Sequence, residues 1–534
     1  ETRRLVTQLG QATSLDDALP GIRRYWDAAE SDAAFESLAD FWQDYLATIQ
    51  VETPDPSLNS MLNIHNPRQC HTTKNWSRYL SLYQLGLGSR GIGMRDSSQD
   101  VMGVMAHMPA EAKELIVKLL SIQRPNGSAN HLFYPLTMEA SEGDALEMGD
   151  RPHYYSDDHL WIILAVCAYL KETGDFAFLD EIVPYYDKKT PDSGTVRDHL
   201  RRAIEFTRRD VGAHGLPLAG FADWNDTINL RTGAESLFTA NLYGKALLEL
   251  IELAEFEDDR SAADYFAACY DEMKARVNEH GWDDRWYIRY FDFDGRPIGS
   301  QQNTTGQVFA NGQSWPVIAG FAPEDRARQA LETVHDRLNT RHGIKLSTPG
   351  FNGYDPAVGG VSTYPPGAKE NGGIFLHANP WVVIAETLMG NGERAYQYYS
   401  QINPAAKNEM IDVYECEPYV YAQNILGDEH PQFGLARNSW LSGTASWRYQ
   451  AGTQYILGIQ PTYNGLRIDP CIPKHWGQFT VTRRYRNVIY SVVVHNPDHV
   501  NSGVRSVRVD GELIMGNVVP IFTGGTHSVE VTLG

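Results

Sequence analysis

At 534 residues the chain is too long for one small domain, and its 42% hydrophobic and 21% charged residues are those of a folded globular protein rather than a disordered one. A formal net charge of -21 excludes sequence-independent nucleic-acid binding through a basic surface, and the longest apolar run, 160–170, is too short to span a bilayer. The five cysteines, Cys70, Cys167, Cys269, Cys416 and Cys471, are odd in number, widely spaced and without a CxxC pair. Together with an N-terminus that has no apolar core of signal-peptide length, they predict a reducing, cytoplasmic compartment with neither a disulfide framework nor a zinc site.

In chain order, residues 1 to about 50 pattern as amphipathic helix, over 15–28 with a break at Pro20 and then over 33–49, stopping before Pro54 and Pro56. From 57 to 460 helical segments alternate with long Gly-, Pro-, Asn- and Asp-rich connections. Apolar spacing predicts a helix over 110–123. Asp157 is placed to cap the next, which runs to Lys171 and stops at Gly174. Its stretch 160–170 is apolar nearly all round, as expected of a helix buried between two layers. Helices are further predicted over 196–207, 237–256, 262–278, 323–338, 381–389 and 445–457. Strand patterning is confined to the end, over 479–494, 504–509 and 527–533, with turns at Asn496-Pro497 and Asp510-Gly511. The expected class is mainly α: a double-layered helical barrel, then a small β-rich piece.

Four loop-like segments crowd polar, charged and glycine residues beside aromatics. The first joins Asn75-Trp76-Ser77-Arg78 to Arg90-Gly91-Ile92-Gly93-Met94-Arg95-Asp96 and Gln99-Asp100. Guanidinium matches phosphate through parallel charge-assisted hydrogen bonds, and glycine admits close backbone approach. The plainer reading pairs these arginines with Asp96 or Asp100 at the surface. The second, Asp223-Trp224-Asn225-Asp226, sets two carboxyls beside a ring able to stack on a sugar; a carboxyl near apolar surface can hold a proton at neutral pH and give it to a leaving oxygen. A helix cap in a turn uses the same residue types. The third is Lys369-Glu370-Asn371-Gly372-Gly373 with His377, able to bind sugar hydroxyls and to donate to an anion, or to be an ordinary turn with a structural histidine. The fourth, Ser442-Gly443-Thr444, enters a helix with Glu417-Pro418-Tyr419 and Gln423 upstream, offering backbone N–H groups and hydroxyls to an anion or simply capping that helix.

Taken together, Asn66-Pro67-x-Gln69, Trp76-Ser77-Arg78, Arg90-Gly91-x-Gly93-x-Arg95-Asp96, Asp157-Asp158-x-Leu160-Trp161, Asp223-Trp224-Asn225-Asp226, Lys369-Glu370-Asn371-Gly372, Glu417-Pro418-Tyr419 and Gly443-Thr444-Ala445-x-Trp447 resemble, in order and spacing, the glycoside hydrolase family 94 phosphorylases of cellobiose, chitobiose and cellobionic acid type. The resemblance runs over the whole chain. It implies a helical linker over 1–56, an (α/α)6 catalytic barrel over 57–460 and a β-rich domain over 461–534. It implies Asp226 as general acid, phosphate held by Arg78, Arg90, His377, Ser442 and Gly443, and a donor-sugar subsite formed by Arg95, Asp96, Trp224, Lys369, Glu370 and Gln423. Residues Val361-Ser362-Thr363-Tyr364 would face the acceptor.

The implied reaction is inverting phosphorolysis of a β-glucosidic disaccharide, of cellobionic acid or cellobiose type, giving α-D-glucose 1-phosphate and the acceptor sugar. Its partners are a disaccharide or oligosaccharide and inorganic phosphate as co-substrate, with no metal and no other cofactor. Two departures stand out: the chain starts at the linker, without the N-terminal β-sandwich usual in the family, which helps close the acceptor side across a homodimer; and Ser442 stands where the family has threonine. The competing readings are a hydrolase or transglycosylase on the same barrel, as in cyclic glucan synthases, and a carbohydrate-binding protein without catalysis.

Overall fold

The computed structural model describes residues 5–80, 91–147, 149, 151–189 and 191–534. Helices dominate, with small sheets between them and a larger sheet at the C-terminal end. Helices Met94–Val104, Asp158–Thr173, Leu237–Phe256, Ala310–Ile318 and Asn379–Leu388 pack each on the next, and Thr444–Gln450 packs on both the last and the first of them. Partners lie outside this ring: Pro109–Leu120, Val196–Arg209, Arg260–His280, Glu324–Arg337 and Gly392–Gln401 each cover a ring helix.

The sequence explains the two layers. Asp158–Thr173 buries every residue from Asp158 to Cys167, whereas its outer neighbour Val196–Arg209 buries one stripe, Val196, His199, Leu200, Ala203, Ile204 and Thr207, and turns arginines to solvent. At the centre Trp161, Trp315 and Trp381, all fully buried, meet at ring separations of 5.2 to 6.2 Å. Gly174, left-handed at φ 73°, ends the Asp158–Thr173 helix as its position predicts.

Several sequence expectations change. The helix Leu15–Trp26 runs through Pro20 without the expected break, although the proline has no N–H to donate to the Asp16 carbonyl. Met94–Val104, read from sequence as a loop, is a ring helix whose buried face is polar. Asp157 stands at a helix N-cap position but caps no backbone N–H; its carboxylate is taken by Arg95 and Trp161. The stretch 479–494 is a hairpin of Gln478–Tyr485 and Val488–His495, turned at Arg486-Asn487, both with positive φ. In the six-stranded C-terminal sheet, Ile49–Glu52 pairs antiparallel with Gln478–Tyr485, so a segment placed by sequence in the linker supplies an edge strand. All five cysteines are free thiols. Among the described residues no helix is long and apolar enough to cross a membrane.

Candidate active site

A cavity of about 490 Å³ opens where the ring helices begin. Arg95 and Asp96 come from the first turn of Met94–Val104, Trp224 and Asp226 from the connection leading to Leu237–Phe256, His377 from just before Asn379–Leu388, and Ser442 and Gly443 from just before Thr444–Gln450. Lys369, Glu370, Gln423 and Arg78 complete the set. Every site residue expected from sequence borders this one cavity except Arg90, which lies outside the described residues. The positive ends of several helix dipoles thus face a common space, a favourable setting for an anion within an acidic protein.

The two carboxylates of the Asp223-Trp224-Asn225-Asp226 motif have opposite surroundings. Asp223 is fully buried and accepts from both Arg289 terminal nitrogens at 2.6 and 2.8 Å, from Tyr290 Oη at 2.7 Å, from Ser236 Oγ and from the Asn225 N–H. Burial alone would raise its carboxyl, but Arg289 and these donors hold it below the usual carboxylate range. Asn225 is locked as well, accepting from Arg289 and Asn311 and donating to Glu370 Oε2 at 3.0 Å. With that turn fixed, Asp226 projects into the cavity with 52% of its side chain exposed, in contact with Arg95 at 2.5 Å. Trp224 lies beside it as an apolar wall, edge-on to Phe375 and His377.

Arg95 links three segments of the site: its own helix, the one with Asp157 and the Asp223–Asp226 turn. Its guanidinium makes a bidentate pair with Asp157, both contacts 2.7 Å, reaches Asp226, and donates to the Asp223 carbonyl at 2.8 Å. Arg78 is buried and pairs with Asp100 and with Asp96, the latter at 2.9 Å. The arginine–aspartate pairing anticipated for a surface is therefore present, but inside the fold and at the cavity edge. Asp96 feels burial, which raises its carboxyl, and the positive charge of Arg78 and its neighbours, which prevails and lowers it.

Hydrogen bonding decides the His377 tautomer. Trp447 Nε1, which only donates, bonds Gln99 Oε1 at 2.7 Å and so fixes that amide's carbonyl. The same oxygen lies 2.8 Å from His377 Nε2, which must therefore carry the proton. Burial and the charges of Arg78 and Arg95, against Asp96, bring His377 down to about 3, so the ring is neutral and its Nδ1 is an acceptor. Gly443 packs against that edge: a Cβ there would sit 2.9 Å from Nδ1. The donor role expected of His377 toward an anion is thus taken up by Gln99. Similarly, the Thr444 N–H is capped by Ser442 Oγ at 3.0 Å, leaving the Ser442 and Gly443 N–H groups without partners among the described residues.

Beside Asn225, Glu370 is pushed up to about 7 by burial and then by the charge of Asp226. Lys369 adopts a positive φ of 48° and lays its ammonium 5.1 Å from the Tyr364 ring. Gln423 accepts from Asn438, another cavity residue in the left-handed region. Backbone strain of this kind persists where surrounding structure enforces it, commonly at functional sites. Of the four residues expected on the acceptor side, Tyr364 reaches the cavity, Val361 and Ser362 are buried beneath it, and Thr363 points outward.

The sequence reading passed over His131, a cavity residue whose Nδ1 lies 2.9 Å from Asp158 and whose ring stacks on Tyr155 at 3.6 Å. Burial would depress His131, but Asp158, hydrogen-bonded to it, and Asp226 raise it. No local motif marks a lone histidine in a loop; the Asp157-Asp158 pair was the available signal. Among the described residues no group of three or more His, Cys, Asp or Glu side chains is disposed to hold a metal ion.

Residues 41–458 match the family model described as the glycosyl hydrolase 94 superfamily, catalytic domain. The chain is 38% identical to the N,N'-diacetylchitobiose phosphorylase of Vibrio proteolyticus over 96% of its own length and 65% of that protein's. It is 35% identical to the solabiose phosphorylase of Paenibacillus borealis, over 91% of this chain and 60% of the relative. It therefore spans somewhat under two thirds of the length of these relatives. Among solved structures, a family GH78 rhamnosidase of Bacillus sp. GL1 resembles it in fold with a TM-score of 0.53 at 13% identity, covering 91% of this chain and 44% of that one.

Proposed function

Since the chain belongs to the glycosyl hydrolase 94 superfamily, we propose that this cavity carries out inverting phosphorolysis of a β-linked disaccharide on an (α/α)6 barrel, an architecture that the closed ring of packed helices supports. The observation that carries the reading is one shared cavity in which Asp226, its carboxyl half exposed, faces the same space as Arg78, His377 and the Ser442-Gly443 turn.

A hydrolase that inverts needs a second carboxylate to activate water. Phosphate is already an anionic nucleophile at neutral pH, so the protein has only to hold it in line with the anomeric carbon. For the same reason the reaction needs no metal. Arg78, Arg90 and the Ser442 and Gly443 N–H groups take the phosphate oxygens, while neutral His377 accepts the P–OH hydrogen at Nδ1. Asp226 gives its proton to the departing glycosidic oxygen, which requires its contact with Arg95 to give way to one with substrate. Phosphate forms its bond to the anomeric carbon from the opposite face as the C–O bond breaks, yielding an α-sugar 1-phosphate and the freed acceptor. Trp224 stacks on the donor ring, and Arg95, Asp96, Lys369, Glu370 and Gln423 hold its hydroxyls, Glu370 as a donor while protonated.

The motifs favour β-glucosides of cellobionic acid or cellobiose type, with α-D-glucose 1-phosphate as product. The 38% identity to a diacetylchitobiose phosphorylase favours a second reading, in which the donor is an N-acetylglucosaminyl unit. A panel of cellobiose, cellobionic acid, N,N'-diacetylchitobiose, laminaribiose and sophorose, each with and without phosphate, tests both. The expected result is sugar 1-phosphate from one of them, only when phosphate is present. Cleavage at the same rate without phosphate would place the chain among the hydrolases or transglycosylases instead.

A further inference from the structure

His131 borders the cavity without a part in the chemistry assigned so far, and its ring is held on every side but one. Nδ1 lies 2.9 Å from Asp158 Oδ2, and the ring stacks on Tyr155 with centroids 3.6 Å apart. The His131 carbonyl accepts from the Met94 N–H at 2.8 Å, and the next two residues, Leu132 and Phe133, pair with Gly93 and Ile92. Against the Cδ2 edge lies Gly143, at φ 64°, where a Cβ would come within 2.7 Å of the ring.

The remaining nitrogen, Nε2, has no hydrogen-bond partner among the described residues and is not sealed in, so the 18% of the side chain left exposed opens on the cavity. Asp158 fixes the tautomer: a carboxylate only accepts, so Nδ1 carries a proton. Nε2 then accepts when the ring is neutral and donates when it is protonated. A sugar hydroxyl, which both donates and accepts, suits either form. An anionic oxygen does not, because it would meet Asp158 on the ring and Asp96 and Asp226 across the shared cavity. The Arg95 guanidinium lies 5.5 Å from the same Tyr155 ring and holds Asp226 at 2.5 Å, which places His131 at the Asp226 end of the site.

We propose, on the reading of this cavity as a disaccharide site, that His131 is a sugar-binding residue: held by Asp158, Tyr155 and Gly143, it directs Nε2 at a hydroxyl of the disaccharide near Asp226. Asp158 and Asp226 raise the ring against burial and the charge of Arg95, so in mildly acidic solution the bond is a charge-assisted donation from the imidazolium. The hydroxyl belongs to the donor or to the acceptor unit, two sources with the same chemistry that kinetics in the two directions separates.

Steady-state kinetics of the whole chain compares wild type with His131→Asn, whose amide nitrogen can replace Nδ1 but stops short of Nε2, and with His131→Gln, whose longer amide puts a polar atom back near Nε2. His131→Asn should raise the KM for the disaccharide about tenfold and leave the KM for phosphate unchanged, and His131→Gln should recover part of that loss. Gly143→Ala, which crowds the ring without altering charge, should shift the sugar KM in the same direction. In the synthetic direction, a rise confined to the acceptor KM puts the hydroxyl on the acceptor, and one confined to the sugar 1-phosphate KM puts it on the donor; either supports the site. An unchanged sugar KM in His131→Asn, with or without a fall in kcat, overturns the proposal, as do equal rises for sugar and phosphate. If wild type cleaves the disaccharide without phosphate, the phosphorylase reading fails, while the sugar KM of His131→Asn still decides the role of His131.

Discussion

Asp223 and Asp226 lie three residues apart on one turn, yet Asp223 is fully buried against Arg289 while Asp226 leaves half its side chain in the cavity. The first fixes the turn so that the second can act.

Replacing Asp226 by Asn therefore removes chemistry and spares the fold. The expected loss in kcat is roughly 10²–10⁴-fold, the usual worth of a general acid, with an unchanged thermal midpoint. An aryl β-glycoside with an acidic phenol as leaving group needs little protonation and should lose far less. Equal losses on both substrates would contradict the assignment.

Asp223→Asn should do the reverse. It leaves the buried Arg289 guanidinium without its counter-charge, a change that costs about 3–5 kcal/mol when one member of a buried pair is removed. A denaturant titration showing wild-type stability would refute the anchoring role.

Glu370 gives a pH signature. Its folded pKa, about 7, lies above the 4.5 of an unperturbed glutamate, so between those limits the folded protein holds a proton that the unfolded chain has released. Stability from this group is complete below about 4.5 and is lost as pH rises toward 7. Glu370→Gln should flatten the pH dependence of stability in that window by up to one proton, measured by denaturation at a series of pH values. An unchanged slope would show that burial and Asp226 do not act on Glu370 as described.

Gln99 is expected to matter without touching substrate. Gln99→Ala frees His377 Nε2, so the proton can move to Nδ1 and the acceptor facing the cavity is lost. With a hydrogen bond to a charged group worth about 1.5–3 kcal/mol, the KM for phosphate should rise about tenfold or more while the KM for sugar changes little. Trp447→Phe, which unfastens the Gln99 amide, should shift the phosphate KM in the same direction. Parallel increases in both KM values would point to a merely structural role.

Much of this site was legible in the sequence because its residues cluster in short motifs, and the helix 237–256 was legible because its apolar positions recur over twenty residues. Met94–Val104 was not, for a physical reason: it buries Arg95, Ser97, Ser98, Gln99 and Asp100, so a helix lining a polar cavity lacks the apolar stripe that announces a helix. Asp157 shows the same limit. Its position suggested a cap, but the attraction of Arg95, distant in sequence, outweighed a local bond to the backbone. The turn at Arg486-Asn487 lacks the glycine that usually marks a tight hairpin, and Asn487 adopts the left-handed conformation in its place.

The most direct test follows the anomeric signals by NMR while the enzyme cleaves its preferred β-linked disaccharide in phosphate buffer and again in a buffer without phosphate. The expected spectrum shows α-sugar 1-phosphate rising in step with free acceptor, and no turnover without phosphate. Free donor sugar accumulating in the phosphate-free sample, or a β-configured phosphate in the other, would contradict attack by a cavity-held phosphate opposite Asp226.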